Sequence, residues 1–562
     1  MGTQQSSGNE VDPADTTDFA AKPPMGTVIA LLSGFHFLCC GIPIMVASGP
    51  NAVFECGGSP HGPVSIGRTH LASEETLRFL RSVGSSDIGS TPPTGHCSSR
   101  SPRPISRFRG VTKSYDLIVI GSGTAAMVAA NRMAAAGKKV AVADYRPFGG
   151  TCALRGCDPK KMLITGAQVM DDIRRMRGHG VAADGAHIEW RDLMEFKRTF
   201  TGPVPGKQLK NYAAKGVDTY HEHARFAGPN SLELERSGII EATNVLIAAG
   251  ARPVPLGFPG EEHLMDNEGF LELDELPARI VMVGGGYIAS EFSHIAARAG
   301  AKVTVLQRGK RILPQFDGDL VGWLMEAFDA AGIEVRTGHS VEAVEKTDEG
   351  YIIRVRSADG GTAAVHADLV VHAAGRIPDL DSLGLEAAGV ERDQCGRLKL
   401  NEHLQSVSNP AVYAAGDAAA QGPPLTPVSS HDAKVVVANL LEGNTYCPDY
   451  RAIPSVAFTI PPIASVGLSE EEARSKGFKF SLKSEQASTW YTARRVAESV
   501  YGFKVMVEEG SKLILGAHLV GPHVDEVINV FGLAMRHGLT ADDIKSTMFA
   551  YPTGASDIGY MV

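Results

Sequence analysis

Two cysteines, Cys152 and Cys157, lie five positions apart in the sequence, about thirty residues after a glycine-rich segment. If the chain between them is helical, residues four or five positions apart come close enough to form a disulfide. Zinc sites favour a C-x2-C spacing and four ligands, and no second cysteine pair or histidine cluster nearby completes such a set. The spacing alone does not decide between these uses, and a redox-active dithiol is the favoured interpretation.

The glycine-rich segment has the pattern of a dinucleotide-binding turn. A predicted strand over 115–120 leads into the turn, and a helix to about residue 136 and a strand over 139–143 follow it. The small residues of the turn are Gly121, Gly123 and Ala126. Glycine permits the tight turn and lets backbone amides at the helix N-terminus approach a pyrophosphate. Asp144, at the end of the second strand, is placed to accept a hydrogen bond from a ribose hydroxyl, which suits the adenosine diphosphate part of FAD.

The same pattern occurs a second time. Predicted strands over 279–283 and 302–306 flank a helix that ends near residue 299. The small residues of this turn are Gly284, Gly286 and Ala289. The second strand is followed by Arg308 and Arg311 instead of an acid, and basic groups favour a 2′-phosphate. The second site therefore suits NADPH, with NADH as the other option, and a solvated surface turn is the alternative reading of the two arginines.

Composition limits the classes of protein that the chain can belong to. With 562 residues, 43% of them hydrophobic, the chain is long enough for several domains. The net charge of −9, with acids and bases interleaved, argues against a nucleic-acid partner. Eight cysteines in this length do not make a disulfide scaffold. The isolated Cys395 and Cys447 are interpreted as buried small hydrophobic residues, and no metal-binding set is predicted.

Residues 1–112 differ from the rest of the chain. The uncharged stretch over 28–47 is long enough for a membrane span, although no basic cluster precedes it as in a signal peptide. An extension outside the native protein, a membrane anchor, and a targeting or disordered segment all stay open for this region. The rest of the chain is expected to be cytoplasmic, with membrane association only through this segment.

Beyond the two turns, further motifs resemble the class I pyridine nucleotide-disulfide oxidoreductases, which include glutathione reductase, dihydrolipoyl dehydrogenase and mercuric reductase. The resemblance runs from about residue 115 to the C-terminus. The further residues that carry it are Gly150 and Thr151 beside the cysteines, Gly250, Gly375, Gly416, Asp417, and the Leu425-Thr426-Pro427 segment. It implies an α/β fold with two doubly wound Rossmann-like dinucleotide-binding domains and a C-terminal α+β dimerisation domain. Asp417 matches the family's contact to the ribityl chain of FAD.

The resemblance also implies the domain boundaries. The FAD-binding domain is expected over 113–265 and 385–449, the NAD(P)-binding domain over 266–384, and the interface domain over 450–562. The family assembles as a homodimer whose partner completes the active site, so a homodimer is expected here.

In the family, electrons pass from NAD(P)H through FAD to the cysteine pair. Cys157 matches the thiolate next to the flavin, and Cys152 matches the thiol that attacks the substrate. Lys160 and Glu291 match an ion pair near the flavin, for which a purely structural role is the alternative. Asp158 stands where the family usually has an apolar residue, and an anion there raises the pKa of Cys157 unless it points away.

The C-terminal segment departs from the family pattern. In glutathione reductase and dihydrolipoyl dehydrogenase, a His oriented by a Glu protonates the leaving thiolate. This chain has Tyr551 and Ser556 at those positions. A phenol titrates near ~10 and an imidazole near ~6.5, so efficient turnover of glutathione disulfide or lipoamide is not expected. Mercuric reductase also has a Tyr there, but this sequence lacks that enzyme's C-terminal cysteine pair.

The acceptor is therefore open: a small disulfide, a thiol-bound metal ion or another small electron acceptor. His431 and His523 are candidates for a replacement base, and an ordinary structural role is favoured for each. A flavin-dependent NAD(P)H oxidase, quinone reductase or transhydrogenase is the second class considered. A non-catalytic flavin-binding redox sensor is the third.

Overall fold

A computed structural model of the protein describes residues 113–562. The interpretations offered for 1–112, including a membrane span over 28–47, lie outside the described residues. None of the helices in the described part of the chain combines the length and the apolar composition that crossing a bilayer requires.

The described chain alternates strands and helices and then ends in a mainly antiparallel segment. The strands are β1 (Lys113–Ile120), β2 (Val140–Ala143), β3 (Asp218–Tyr220), β4 (Ala224–Gly228), β5 (Ser231–Leu234), β6 (Gly238–Ile247), β7 (Ala251–Pro253), β8 (Arg279–Val283), β9 (Lys302–Gln307), β10 (Glu334–Thr337), β11 (His339–Thr347), β12 (Gly350–Ser357), β13 (Thr362–Ala367), β14 (Leu369–His372), β15 (Arg376–Pro378), β16 (Val412–Ala414), β17 (Ser455–Ala457), β18 (Ile463–Gly467), β19 (Phe480–Gln486), β20 (Gly502–Glu508) and β21 (Ile514–Val520). The helices are α1 (Thr124–Ala135), α2 (Gly150–Arg155), α3 (Cys157–Met176), α4 (Trp190–Thr201), α5 (Val204–Ala214), α6 (Asn267–Phe270), α7 (Tyr287–Arg298), α8 (Gly318–Ala330), α9 (Thr426–Glu442), α10 (Glu470–Ser475), α11 (Tyr491–Arg494), α12 (Val524–His537), α13 (Ala541–Ser546) and α14 (Ile558–Met561). Short 3-10 helices cover Glu261–His263, Asp381–Leu383, Leu385–Ala388, Gly416–Ala418 and Gly554–Asp557.

The first sheet has the strand order β3-β2-β1-β6-β5-β4, and β16 pairs in parallel with β6. Strands β1, β2, β3 and β6 are parallel, which requires crossover connections such as α1. The apolar residues of β1 and β2 pack with alanines of α1 and with α9 in one core. Because β16 returns to this sheet after β8–β15, the segment that forms the second sheet is inserted within the first.

The second sheet is parallel, with the order β10-β9-β8-β14, and the antiparallel sheet β11-β12-β13 covers part of it. Strands β8 and β9 flank α7, so the second glycine turn lies at the carboxyl end of β8. Helices α3 and α4, which follow the cysteine motif, contribute Leu163 and Met194 to the core of this second sheet. The short pair β7 and β15 joins the two sheets.

The C-terminal segment forms an antiparallel sheet of order β17-β18-β21-β20-β19 with α12 packed on it. Its connection to the second sheet includes a buried lysine on β20. The Lys504 ammonium lies 2.6 Å from Asp319, 3.0 Å from Asp317 and 3.1 Å from Glu470. Since two of these acids begin α8 and the third begins α10, this cluster fixes one unit against the other.

Close backbone approach requires a glycine in the first nucleotide turn and another in the cysteine motif. Gly121 has φ +104°, and a Cβ there would lie 2.3 Å from the Ala248 carbonyl oxygen. Gly150 has φ +69°, and a Cβ there would lie 2.2 Å from the Cα of Gly123. The start of α1 and the start of the cysteine motif therefore touch through two glycines, which holds the motif against the turn.

We expect Gly150→Ala to destabilise the protein far more than Gly137→Ala. Both positions have positive φ, which costs an alanine about 1–2 kcal/mol. A methyl group at Gly137 would have no described atom within 4 Å, whereas a methyl group at Gly150 would overlap the backbone of Gly123. Thermal unfolding of the two variants measures the difference, and equal melting temperatures would contradict the close approach.

Candidate active site

The two cysteines lie on either side of a helix break. Cys152 belongs to α2, and Cys157 is the first residue of α3, with Gly156 (φ −150°, ψ −110°) between the helices. The two cysteines therefore do not share one continuous helix, in contrast to the helical case considered from their spacing. Both are thiols in this structure. Cys157 lies at the positive end of the 20-residue helix α3, whose first turn has no side-chain cap from the described residues.

These surroundings separate the acidities of the two thiols. A hydrogen bond from the Cys152 thiol, helped by Thr426 and by the charge of Lys160, lowers the pKa of Cys157 to about 6 although burial opposes it. The Cys157 Sγ lies 3.4 Å from the hydroxyl oxygen of Thr426. The same hydrogen bond raises the pKa of Cys152. Asp158 opposes ionisation of Cys157 with the weakest of these effects, so the thiolate persists at neutral pH.

The predicted ion pair forms across two helices. The Lys160 ammonium, in the first turn of α3, donates to the carboxylate of Glu291 on α7 at 2.7 Å, and both side chains are buried. Glu291 also accepts a hydrogen bond of 2.9 Å from the backbone N–H of Phe458. The ring of Phe458 lies 4.3 Å from the Lys160 ammonium and 3.7 Å from that of Lys161. Groups from three parts of the chain thus meet beside Cys157.

Most of the residues predicted at the first nucleotide site line one cleft. They are Gly121, Gly123, Asp144, Gly150, Thr151 and Gly250. The Asp144 carboxylate accepts hydrogen bonds from the hydroxyl of Ser122 at 2.6 Å and the backbone N–H of Arg146 at 2.9 Å. No side chain within 113–562 caps the start of α1, so its amides point into a glycine-lined cradle. This arrangement fits a dinucleotide diphosphate.

The cleft also contains two arginines that the motif reading missed. Arg146 and Arg155 both line it and both pair with Glu268, Arg155 at 3.5 Å. The buried Nε of Arg155 has no hydrogen-bond partner among the described residues. Both guanidinium groups are thus placed where they can donate hydrogen bonds to an anionic ligand in the cleft. Only the positions of these arginines, Arg146 before the cysteine motif and Arg155 between its two cysteines, could have indicated this, because Glu268 is more than a hundred residues away.

The other residues predicted at this site lie around the cleft. Ala126 is fully buried in α1, where its small side chain packs in the core of the first sheet. The Gly416 N–H donates to buried Asp432 at 3.0 Å, and this contact fixes the turn that carries Asp417. Burial raises the pKa of Asp417, and the charge of Arg376 partly offsets it. Gly375 lies in the connector beside β7, where its carbonyl accepts from the Val254 N–H at 3.1 Å.

The second nucleotide turn has the same backbone form as the first. Gly284 has φ +112° and approaches the Ala373 carbonyl, and Gly286 is the N-cap residue of α7. Ala289 is fully buried in this helix. Arg308 and Arg311 are exposed after β9, and the Arg311 guanidinium donates to the Pro314 carbonyl at 2.8 Å. The predicted phosphate-binding arginines are thus at the end of β9, with Arg311 held by its own loop.

The C-terminal residues at the expected acid–base position have different partners. Tyr551 is 77% exposed and packs near Tyr491, with ring centroids 6.3 Å apart. The Ser556 hydroxyl donates to the Thr553 carbonyl at 2.6 Å. The neighbouring Asp557 accepts a hydrogen bond of 2.7 Å from Tyr501. Neither Ser556 nor Asp557 therefore orients the Tyr551 phenol.

Both histidines considered as replacement bases are occupied by structural contacts. The Nε2 of His431 accepts from the Asp449 N–H at 2.9 Å, and the Nε2 of His523 lies 2.9 Å from the Arg495 guanidinium. The prediction that Cys395 and Cys447 are buried is wrong. Both thiols are exposed, because Cys395 lies in a surface turn and Cys447 in an irregular surface segment instead of a strand or helix core.

Nearly all of the described chain matches one known family. Residues 115–433 match the pyridine nucleotide-disulphide oxidoreductase family, and residues 453–562 match the dimerisation domain of the same family. The protein therefore belongs to the pyridine nucleotide-disulphide oxidoreductase family. The predicted fold class is confirmed, and the dimerisation domain supports a homodimer.

Similar proteins include enzymes with different acceptors. The chain is 31% identical to dihydrolipoyl dehydrogenase of Halobacterium salinarum over 452 residues, covering 79% of this chain and 94% of that enzyme. It is 31% identical to glutathione reductase of Burkholderia cepacia over 443 residues, covering 79% and 97%. A solved Cu(II) complex of the HOCl-induced flavoprotein disulfide reductase RclA from Escherichia coli matches with TM-score 0.72 and 26% identity, covering 80% of this chain and 99% of that one.

These relationships establish an NAD(P)H-dependent flavoprotein disulfide oxidoreductase that uses FAD. The glycine cradle and the Arg146 and Arg155 guanidinium groups would hold the FAD diphosphate, and Asp144 would accept a hydrogen bond from a ribose hydroxyl. Asp417 lies on the turn beside α9. When bound, FAD supplies two-electron transfer between the nicotinamide and the cysteine pair.

We expect Thr426→Val to raise the pKa of Cys157 by about one unit, because it removes one hydrogen bond to the thiolate. The rate at which iodoacetamide alkylates Cys157 in the reduced protein, followed across pH, reports this value. Trypsin places Cys152 and Cys157 in different peptides, so mass spectrometry reads each thiol separately. Thr426→Ser keeps the hydroxyl, so its alkylation curve should keep a midpoint near pH 6. Identical pH curves for the Val and Ser variants would show that the Thr426 hydroxyl does not stabilise the thiolate.

We expect Lys160→Gln to raise the pKa of Cys157 by roughly one unit, because it removes a nearby positive charge and leaves Glu291 unpaired. Lys161→Gln is the matched control, since Lys161 adjoins the same Phe458 ring but is not among the groups that chiefly set the acidity of Cys157. The same pH-dependent alkylation measures both variants. If Lys161→Gln shifted the pH curve as much as Lys160→Gln, the lowered pKa of Cys157 could not be assigned to the charge of Lys160.

Proposed function

We propose that the protein passes electrons from NAD(P)H to a thiophilic metal ion, such as Cu(II) or a thiol-bound metal, through the Cys152–Cys157 pair. The observation that carries this proposal is the exposed Tyr551, with no orienting acid, at the position where disulfide-reducing relatives need a proton donor. A leaving thiolate needs a proton when a disulfide is cleaved. A metal ion needs thiolate ligands, and Cys157 is a thiolate at neutral pH.

The electrons balance with the cysteine pair as the carrier. Two electrons and one proton, the equivalent of the hydride of NAD(P)H, break the Cys152–Cys157 sulfur–sulfur bond and leave the Cys152 thiol and the Cys157 thiolate. Each of two Cu(II) ions then takes one electron, the sulfur–sulfur bond forms again and the proton of Cys152 is released. Cys152, which holds its proton, becomes a ligand only as that proton leaves, whereas Cys157 is ionised beforehand.

Three further observations bear on the acceptor, the nicotinamide cofactor and the assembly. RclA, the solved structural relative, forms a complex with Cu(II). Arg308 and Arg311 are exposed beyond β9, where they can meet a 2′-phosphate, which favours NADPH. Tyr551 is open to a second copy of the chain, so in a homodimer its phenol can face the partner's cysteine pair.

A small disulfide is the second candidate acceptor. It is favoured by the identity to glutathione reductase and dihydrolipoyl dehydrogenase, which extends over nearly their whole length. For a disulfide acceptor, the phenol of Tyr551 would have to replace the histidine of those relatives as the acid–base group. Because a phenol is a poor proton acceptor at neutral pH, turnover would be slow.

We expect Cys152→Ser to abolish NADPH-dependent Cu(II) reduction, because one sulfur cannot form the disulfide that returns two electrons. Cys395→Ser, which changes an exposed thiol elsewhere, should retain the wild-type rate. Anaerobic assays of NADPH oxidation and Cu(I) formation measure both. Full turnover by Cys152→Ser would instead support an oxidase, quinone reductase or transhydrogenase, and no turnover of any acceptor by the wild type would support a redox sensor.

We expect Tyr551→His to increase the rate of glutathione disulfide reduction at neutral pH by up to ~100-fold, the usual value of a positioned acid–base group. Cu(II) reduction should change little, since it needs no proton donor. Steady-state kinetics with each acceptor measures the two rates. If wild-type protein already reduced glutathione disulfide faster than Cu(II), the metal-ion proposal would be wrong.

A further inference from the structure

Three residues with different ligand atoms meet on the surface of the first nucleotide domain. The Glu402 carboxylate, the His403 imidazole and the Cys447 thiol each place one ligand atom within 4.8 Å of the others. The Nε2 of His403 lies 3.6 Å from the Glu402 oxygen, and its Nδ1 lies 3.7 Å from the Cys447 sulfur. This cluster is formed by tertiary structure, because His403 and Cys447 are 44 positions apart.

A buried amide holds the two segments of this cluster together. Asn439, only 3% exposed near the end of α9, donates to the carbonyls of His403 at 3.3 Å and Tyr446 at 2.9 Å. Its side-chain oxygen accepts from the N–H groups of Thr445 and Tyr446 at 3.1 and 2.9 Å. The backbone on both sides is thus fixed before any ligand binds, which lowers the entropic cost of binding.

The distances suit a tetrahedral divalent ion. Zinc bonds of ordinary length to sulfur, nitrogen and oxygen place the ligand atoms roughly 3.4–3.6 Å apart. The 3.6 Å between His403 Nε2 and the Glu402 oxygen is close to these values. The Cys447 sulfur lies nearer the other ring nitrogen, Nδ1, but all three ligand atoms are within 4.8 Å, and rotation of the exposed Glu402 and Cys447 side chains can close the remaining separation. The Tyr446 carbonyl lies 3.0 Å from His403 Nδ1, so it accepts the Nδ1–H proton when Nε2 binds the ion.

We propose that Glu402, His403 and Cys447 form a binding site for a borderline divalent cation of the Zn²⁺ class, with water completing the coordination. The sulfur–proton bond of Cys447 breaks as the sulfur–metal bond forms, and the proton goes to solvent. The site is separate from the redox cysteines. Cys157 contacts Thr426 at the start of α9, whereas Asn439 is near the end of this 17-residue helix, roughly 20 Å away.

The test measures Zn²⁺ protection of Cys447 in the oxidised, FAD-loaded full chain, in which Cys152 and Cys157 are joined. Bound metal withdraws the thiolate, so equimolar Zn²⁺ should slow alkylation of Cys447 by about tenfold or more. Cys395, an exposed thiol in another tryptic peptide, should react at the same rate with and without Zn²⁺. His403→Ala should restore fast alkylation of Cys447 in the presence of Zn²⁺.

Metal content provides an independent reading. After equilibrium dialysis against Zn²⁺, Cys447→Ser should hold one ion fewer per chain than Cys395→Ser, with equal FAD content. Both changes affect exposed thiols, so neither should unfold the protein. Unprotected Cys447 in the wild type, protection that persists in His403→Ala, or equal zinc content in the two serine variants would each overturn the proposal. Because Zn²⁺ accepts no electrons here, these outcomes are independent of the proposed acceptor.

Discussion

The chemistry of this protein depends on stabilisation of one anion, the Cys157 thiolate. Gly156 interrupts the helix between α2 and α3. This interruption puts Cys157 at the positive, N-terminal end of a long helix, within hydrogen-bonding distance of the Cys152 thiol. Thr426 approaches the sulfur from the start of α9. Helix ends from different parts of the sequence therefore converge on one sulfur, and each of them favours its charged form.

The same convergence joins the domains. Lys160, in the first turn of α3, donates a hydrogen bond to Glu291 on α7, the helix that follows the second nucleotide turn. Glu291 in turn accepts from the backbone N–H of Phe458, directly after β17 of the antiparallel C-terminal sheet. A buried pair of this kind contributes little net stability but is costly to break, so it fixes one relative position of its partners. The charge that lowers the pKa of Cys157 is held by contacts from all three units.

Local pattern was sufficient to predict the nucleotide folds but not the contacts between distant segments. The strand predicted over 279–283 agrees with β8, and both glycine turns lie at the ends of parallel strands, because period and turn chemistry are local. The break at Gly156 was missed, since cysteine spacing suits a continuous helix equally well. The Arg155–Glu268 contact and the exposed Cys447 depend on tertiary packing, which no single-sequence pattern specifies.

The tyrosine at position 551 affects only one of two steps, the protonation of a leaving thiolate, and does not affect formation of the Cys157 thiolate. Everything needed to generate the Cys157 thiolate is retained within one chain, whereas the group that would protonate a departing thiolate is changed. Ser556 and Asp557 are committed to Thr553 and Tyr501, so neither can orient a base at Tyr551. A site that keeps its nucleophile and loses its proton donor is suited to acceptors that bind sulfur and release no thiolate, and thiophilic metal ions meet that condition.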